Sequence, residues 1–241
     1  MIQVSANHMN ELVTILPAYD FIVVGELHGS VQNAPIMQNL LALILTATGR
    51  AGIAFEWPIS QNDQIALRAY VNGGPVPAAL PPFFLNSDGR FTRQHADLLA
   101  WLRRSHRLGN AIDIHFFDED NDPGDPEERL AHALEQIHQL EPATPLLVET
   151  GNFHARKQSD RRQLPMAARL TAEYKVFTIF LRYLSGLIDV EGRHRDVTLA
   201  ASQKQNPNKY FDAVIEIAQS EPAEQLTDLT TIRDLLCLNQ T

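Results

Sequence analysis

Glu26 and His28 stand two residues apart, bracketed by Gly25 and Gly29, directly after the apolar run Phe21-Ile22-Val23-Val24. The spacing returns at Gly151-Asn152-Phe153-His154, which follows a second run, Leu146-Leu147-Val148, closed by Glu149. Glu56 closes a third run, Ile53-Ala54-Phe55, just before Trp57-Pro58. Asp118 is the first acid past a fourth, Ile112 to Phe117. In an extended exit, side chains two positions apart point the same way. A carboxylate and an imidazole so placed bind one divalent cation, or act as acid and base on one substrate. Each motif alone has a plainer reading. Gly-Glu-x-His-Gly is also a polar strand-to-helix connection, Glu56 a helix N-terminal acid favoured by the macrodipole, and Asp118 to Asp122 a solvated turn and cap. What joins them is their shared position at strand ends.

The elements that must hold these residues alternate β and α over the first 185 residues. Strands are predicted at 20–24, 52–55, 111–117, 145–149 and 176–183. Helices are predicted at 33–48, stopped by Gly49, at 61–70 with Pro58 in the first turn, and at 92–107, 126–140 and 163–173. A late strand at 211–217 and a closing helix at 230–238 complete the chain. This alternation predicts an α/β fold with a mainly parallel central sheet and helices on both faces. Ligands of such sheets bind in the crevice at the carboxyl ends of the strands, where Glu26, His28, Glu56, Asp118 and His154 would gather. Residues 71–92 break the pattern. They are rich in Pro and Gly yet carry Phe83 and Phe84, so the stretch is read as a lid-like insertion in a single domain spanning 1–241, or as a surface excursion with both rings packed down. Asn152 is positioned to orient His154 or to offer an amide to a substrate, and Glu149 to stand behind the site. His115 lies inside a strand, facing a helix. His8, His95, His106, His132 and His138 are read as surface or core histidines.

Composition narrows the function. The net charge of -9 argues against nucleic acid or an anionic membrane as the main partner. Basic residues form only short clusters, Arg103-Arg104, Arg161-Arg162 and Arg193-His194-Arg195. Arg193 or Arg195 is the candidate contact for an anionic substrate group. Cys237 is the only cysteine, so neither an internal disulfide nor a cysteine nucleophile near the motifs is expected. Residues 1–20 carry no basic stretch followed by an apolar one, and the most apolar segment, 40–48, is too short to cross a bilayer. A soluble, cytoplasmic protein is the expectation. No Gly-x-Ser-x-Gly, His-Glu-x-x-His, phosphate-binding loop or Gly-x-Gly-x-x-Gly occurs. A nicotinamide cofactor and nucleotide hydrolysis of the usual kind are therefore not expected. Grouped histidines and carboxylates compose a metal-assisted or acid–base hydrolytic site, and the expectation is hydrolysis of an ester or amide in a small molecule or peptide, with a divalent metal in support. Mn²⁺, Co²⁺ or Zn²⁺ is preferred over Mg²⁺ because imidazole suits them.

Gly25-Glu26-Leu27-His28 and Gly151-Asn152-Phe153-His154, with Glu56 after the second strand, resemble the superfamily of erythromycin esterases, ChaN-type haem-binding proteins and TIKI proteases. The resemblance covers roughly residues 20–185. It implies His28 and His154 as the paired histidines, and Glu26 and Glu56 as the paired glutamates. Its TIKI branch implies a metal-dependent hydrolase. Glu26, His28, Glu56 and His154 are then the expected ligands, and Asp118 joins them as a candidate by its position past the third strand alone. Its esterase branch implies water activated by His and Glu without a required metal. Its ChaN branch implies haem binding without catalysis. A haem would take a histidine as axial ligand and Trp57, Phe83 or Phe84 as walls.

Overall fold

The computed structural model describes residues 2–5, 9–85, 87–118, 124–142, 144–159, 163–200, 203 and 206–238. Seven strands form one parallel sheet: β1 (Ile2–Ser5), β2 (Phe21–Glu26), β3 (Arg50–Phe55), β4 (Ala111–Phe116), β5 (Leu146–Gly151), β6 (Val176–Tyr183) and β9 (Ala213–Ile217). Their order across the sheet is β1-β9-β6-β2-β5-β3-β4. A separate antiparallel hairpin, β7 (Leu187–Val190) and β8 (Arg193–Asp196), follows β6. The helices are α1 (Asn33–Thr48), α2 (Gln61–Val71), α3 (Arg93–Arg107), α4 (Pro126–Leu140), α5 (Met166–Leu170) and α6 (Leu229–Leu238). The α/β fold with a parallel central sheet is therefore as the alternation predicted.

Burial explains the sequence pattern. β2 is buried on every residue, as a central parallel strand covered on both faces must be. One apolar cluster, with α1 and α3, packs on one face of the sheet; a second, with Leu130 and Leu134 of α4 and Met166 of α5, packs on the other. The helix ends follow local chemistry. Gly49 caps α1 in the left-handed region at φ 75°, its N–H bonded to Leu45 O at 2.8 Å. Asp125 caps α4 by accepting the Glu127 N–H at 3.1 Å, with Pro126 in the first turn.

Several expectations need correction. Pro58 precedes α2 rather than opening it, because Ser60 is the cap and accepts the Asp63 N–H at 3.2 Å. α5 begins only after Pro165 and is far shorter than 163–173, since the residue before a proline is steered away from helix. β1 and the β7–β8 hairpin were not anticipated. β1 is a short edge strand, and all four residues of β8, Arg-His-Arg-Asp, are exposed and lack an apolar alternation. His8, Arg161-Arg162 and the 119–122 part of the acidic turn lie outside the described residues.

The 71–92 segment is held at both ends. Arg103 of α3 donates to the carbonyls of Tyr70, Gly73 and Gly74. Phe84 and Phe91 stack at 3.6 Å and are both buried, with Trp57 set edge-on to each. The returning limb brings Asp88 and Arg90 to the rim of the sheet. There the Gly29 N–H donates to Gly89 O at 3.1 Å.

Candidate functional site

Register decides what meets. β5 lies between β2 and β3, pairing Glu26 with Gly151 and Phe55 with Glu149. The two Gly-x-x-His turns, far apart in the chain, thus leave adjacent strands side by side. Glu26, His28, Glu56 and His154 converge at this rim.

Two carboxylate–imidazole pairs form there. His28 Nδ1 contacts Glu26 Oε1, while Glu26 Oε2 accepts from the Asn33 amide. Asn33 is fixed in turn by donating to Leu27 O at 2.8 Å and by accepting from the Tyr183 hydroxyl at 2.5 Å. In the second pair, His154 Nδ1 donates to Glu127 Oε1 at 2.7 Å, and Glu127 Oε2 accepts the Met166 N–H at 2.8 Å. The carboxylates are buried, Glu26 at 4% and Glu127 at 2% exposure, while the imidazoles remain 25% and 23% exposed. Each ring therefore turns Nδ1 inward and keeps an accessible edge. Gly151 lies between the two rings. A methyl placed on it would sit 3.5 Å from His154 Cδ2 and 3.7 Å from His28 Nε2.

Glu56 completes the cluster. Its Oε2 accepts from Thr150 Oγ1 and from the Gly151 N–H at 3.1 Å. Its Oε1 stands 3.7 Å from both His154 Nε2 and Arg90 Nη1, beyond hydrogen-bond reach but within strong Coulomb range. Burial raises its pKa, but His154, His28, Thr150 and Arg90 outweigh burial and hold the carboxyl below its usual range. Burial disfavours the His28 imidazolium, yet Glu26 and then Glu56 reverse this and lift its pKa to about 9. His154 is likewise raised, with burial opposed by Glu127 and Glu56. Burial pushes Glu26 up against the pull of His28.

The sequence missed several of these partners. Glu127 bonds His154 Nδ1, and the Asn152 backbone N–H donates to Glu26 O at 3.2 Å. Nothing in the α4 sequence distinguishes Glu127 from the neighbouring first-turn acid Glu128 except which faces inward. His95 is a core histidine that supports the site from behind. Its Nδ1 accepts the Thr92 N–H at 3.2 Å, which leaves Nε2–H to donate to Glu149 Oε1 at 3.2 Å. Asp118 is engaged by arginines at both oxygens, Arg90 and Arg129, each at 2.9 Å. Arg195 reaches a cleft beside His28, and Arg193 is exposed on β8.

The expected five-ligand metal cage does not assemble. Among the described residues, no group of three or more His, Cys, Asp or Glu side chains is arranged to hold a metal ion. The donor chemistry explains this, since Glu26, Asp118 and one oxygen of Glu56 already accept from protein donors. Trp57 and Phe84 are buried among other aromatic rings and do not wall an open slot. No described helix is long and apolar enough to cross a membrane.

No protein-family model and no curated protein matches the chain. Solved structures do. A Bacillus cereus protein superposes with a TM-score of 0.65 at 11% identity, covering 92% of this chain and 94% of its own. The type III effector HopBA1 gives a TM-score of 0.48 at 16% identity, covering 89% of this chain and 92% of its own. The haem-binding ChaN of Campylobacter jejuni gives 0.40 at 12% identity, covering 75% and 90%. At these identities the B. cereus likeness establishes the fold alone.

Proposed function

We propose that the protein hydrolyses an ester or amide bond with His154 as general base and His28 as the cationic stabiliser of the oxyanion. The carrying observation is the pair of carboxylate-backed imidazoles facing each other across Gly151, with the Glu56 carboxylate beside them. In this reading, His154 Nε2 takes a proton from water while the water oxygen bonds to the substrate carbonyl carbon. The carbonyl π pair moves onto oxygen, where the His28 imidazolium neutralises it. When the tetrahedral adduct collapses, the bond to the alcohol or amine breaks and that group leaves with the proton held by His154. Glu127 fixes the His154 tautomer and stabilises its charged form, as a buried carboxylate does behind a catalytic imidazole. Glu56 supports the protonated state of both rings and does not itself need to accept a proton.

Turnover of p-nitrophenyl acetate tests this. His154→Ala and His28→Ala should each lower kcat/KM by about 10²–10⁴, with the fold retained because both side chains are partly exposed. Gly151→Ala should fold, since its methyl meets only ordinary contacts, yet lose activity by filling the space between the rings. Activity should survive chelator treatment. Loss on chelation with recovery on Mn²⁺, Co²⁺ or Zn²⁺ would instead make the two histidines metal ligands, since carboxylates bonded to the far ring nitrogens are the usual outer partners of such ligands.

A second reading, haem or another planar ligand without catalysis, has one observation in its favour. A cleft of about 830 Å³ opens beside His28. A Soret band that appears on adding haem and is lost in His28→Ala, in a protein without ester turnover, would select it.

A further inference from the structure

The inner space beside His28 is too small to hold a substrate. The cavity lined by Glu26, His28, Glu56 and Glu149 offers only about 10 Å³. Only reacting atoms fit there, so the body of a substrate must lie elsewhere. The 830 Å³ cleft begins at His28 and runs under the β7–β8 hairpin. Its size suits a small-molecule ligand. Among the described residues, Leu27, Ile188, Val190 and Ala200 give it an apolar wall, and charged residues such as Glu191 and Arg195 stand around it.

The chain is built to bring this wall to the histidine. Gly29, one residue past His28, adopts φ 85°, and a Cβ there would sit 1.6 Å from Asp189 O. The missing side chain lets β7 dock directly on the turn, with the Asp189 N–H donating to Gly29 O at 2.9 Å. The hairpin itself closes through Glu191 at φ 54° and Gly192 at φ 73°, the pairing of positive angles that a tight two-residue hairpin turn requires. Glu191 is the only non-glycine among the described residues at positive φ. Strain of this kind persists where the surrounding structure fixes it, and such positions cluster at ligand sites.

We propose that the cleft between His28 and the β7–β8 hairpin binds a medium-length apolar acyl chain, with the acyl carbonyl at His28 and the chain along Leu27, Ile188, Val190 and Ala200. This rests on the hydrolase reading above for the position of the carbonyl; the apolar site does not depend on it. Each methylene buried should raise kcat/KM about fourfold.

Two measurements separate the readings. The first is kcat/KM for p-nitrophenyl acetate, butyrate, hexanoate and octanoate. The second is calorimetric binding of octanoate. The ratio of octanoate ester to acetate ester should reach roughly a hundredfold or more. It should collapse by at least about tenfold in Val190→Asp, which charges the wall, and in Ala200→Trp, which fills it, with thermal melting as the check on folding. If esters turn over at rates independent of chain length and octanoate does not bind, the cleft is not an acyl site and the hydrolase reading stands. If no ester turns over, the hydrolase reading falls. Octanoate binding that is lost in Val190→Asp would still establish the apolar site, and its absence in the wild type would overturn that as well. The chain-length series on the unaltered protein decides the matter even if a variant fails to fold.

Discussion

At the scale of single residues, the two histidines are alike in construction and opposite in the role proposed. Each presents Nδ1 to a buried carboxylate. They differ in what happens next. His28 is held protonated to about pH 9 by Glu26 and Glu56, which suits a fixed positive charge. His154 is also raised, with burial outweighed by Glu127 and Glu56, and it must shed its proton to act as base. A bell-shaped profile of kcat/KM follows. Activity should rise as His154 loses its proton, above the ordinary histidine value, and fall as His28 loses its own near pH 9. Glu127→Gln tests the arrangement without touching either ring. Removing that charge should shift the acid limb to lower pH and reduce kcat roughly tenfold to a hundredfold. A lower rate with an unmoved acid limb would make Glu127 a packing residue only.

Among the elements, the turn after β2 has the most demanding geometry. It must expose His28, accept β7 on one side and the 87–91 limb on the other. Gly29 meets the first demand by its positive φ and absent side chain. Gly89 meets the second, since a Cβ there would sit 2.7 Å from Gly29 N. Gly29→Ala combines a left-handed backbone with a collision against Asp189 O. It should cost about 1–3 kcal/mol or more in urea unfolding. The β7–β8 hairpin should also lose amide protection in hydrogen exchange before the central strands do. Equal protection of hairpin and sheet in this variant would show that the hairpin does not depend on the turn.

For the whole molecule, placing charged groups at a buried rim links folding to pH. His28 has a folded pKa of about 9 against an ordinary 6.5. Its contribution is full below the unfolded value and is lost as pH rises through about 9. Glu56 runs the other way. Its folded pKa lies below 4.5, so its contribution is present above that value and is lost as pH falls through the lowered one. Glu26, raised by burial, offsets part of this at neutral pH. Tyr183, buried and raised well above 10, resists ionisation and adds to the alkaline loss. The urea midpoint should therefore decline as pH rises from about 6.5 to about 9. A flat midpoint across that interval would mean that the Glu26–His28 pair is solvated in solution.

The sequence alone carried the alternation of the central strands and helices, the parallel sheet and the position of Glu26, His28, Glu56 and His154 at strand ends. Local rules sufficed there. Apolar runs mark buried strands, Gly49 stops α1, Asp125 and Pro126 start α4, and parallel strands bring their carboxyl ends to one rim. What the sequence did not carry was pairing across distance. That β5 inserts between β2 and β3, that Glu127 rather than Glu128 meets His154, and that Asp118 is taken by Arg90 and Arg129 all depend on which faces pack together. No periodicity encodes a contact between residues 27 or 94 positions apart, such as Glu127 with His154 or Glu56 with Thr150. The β7–β8 hairpin was illegible for a related reason. The residues of β8 are polar and exposed, and the hairpin's place is fixed by the side chain that Gly29 lacks, in a turn far away in the chain.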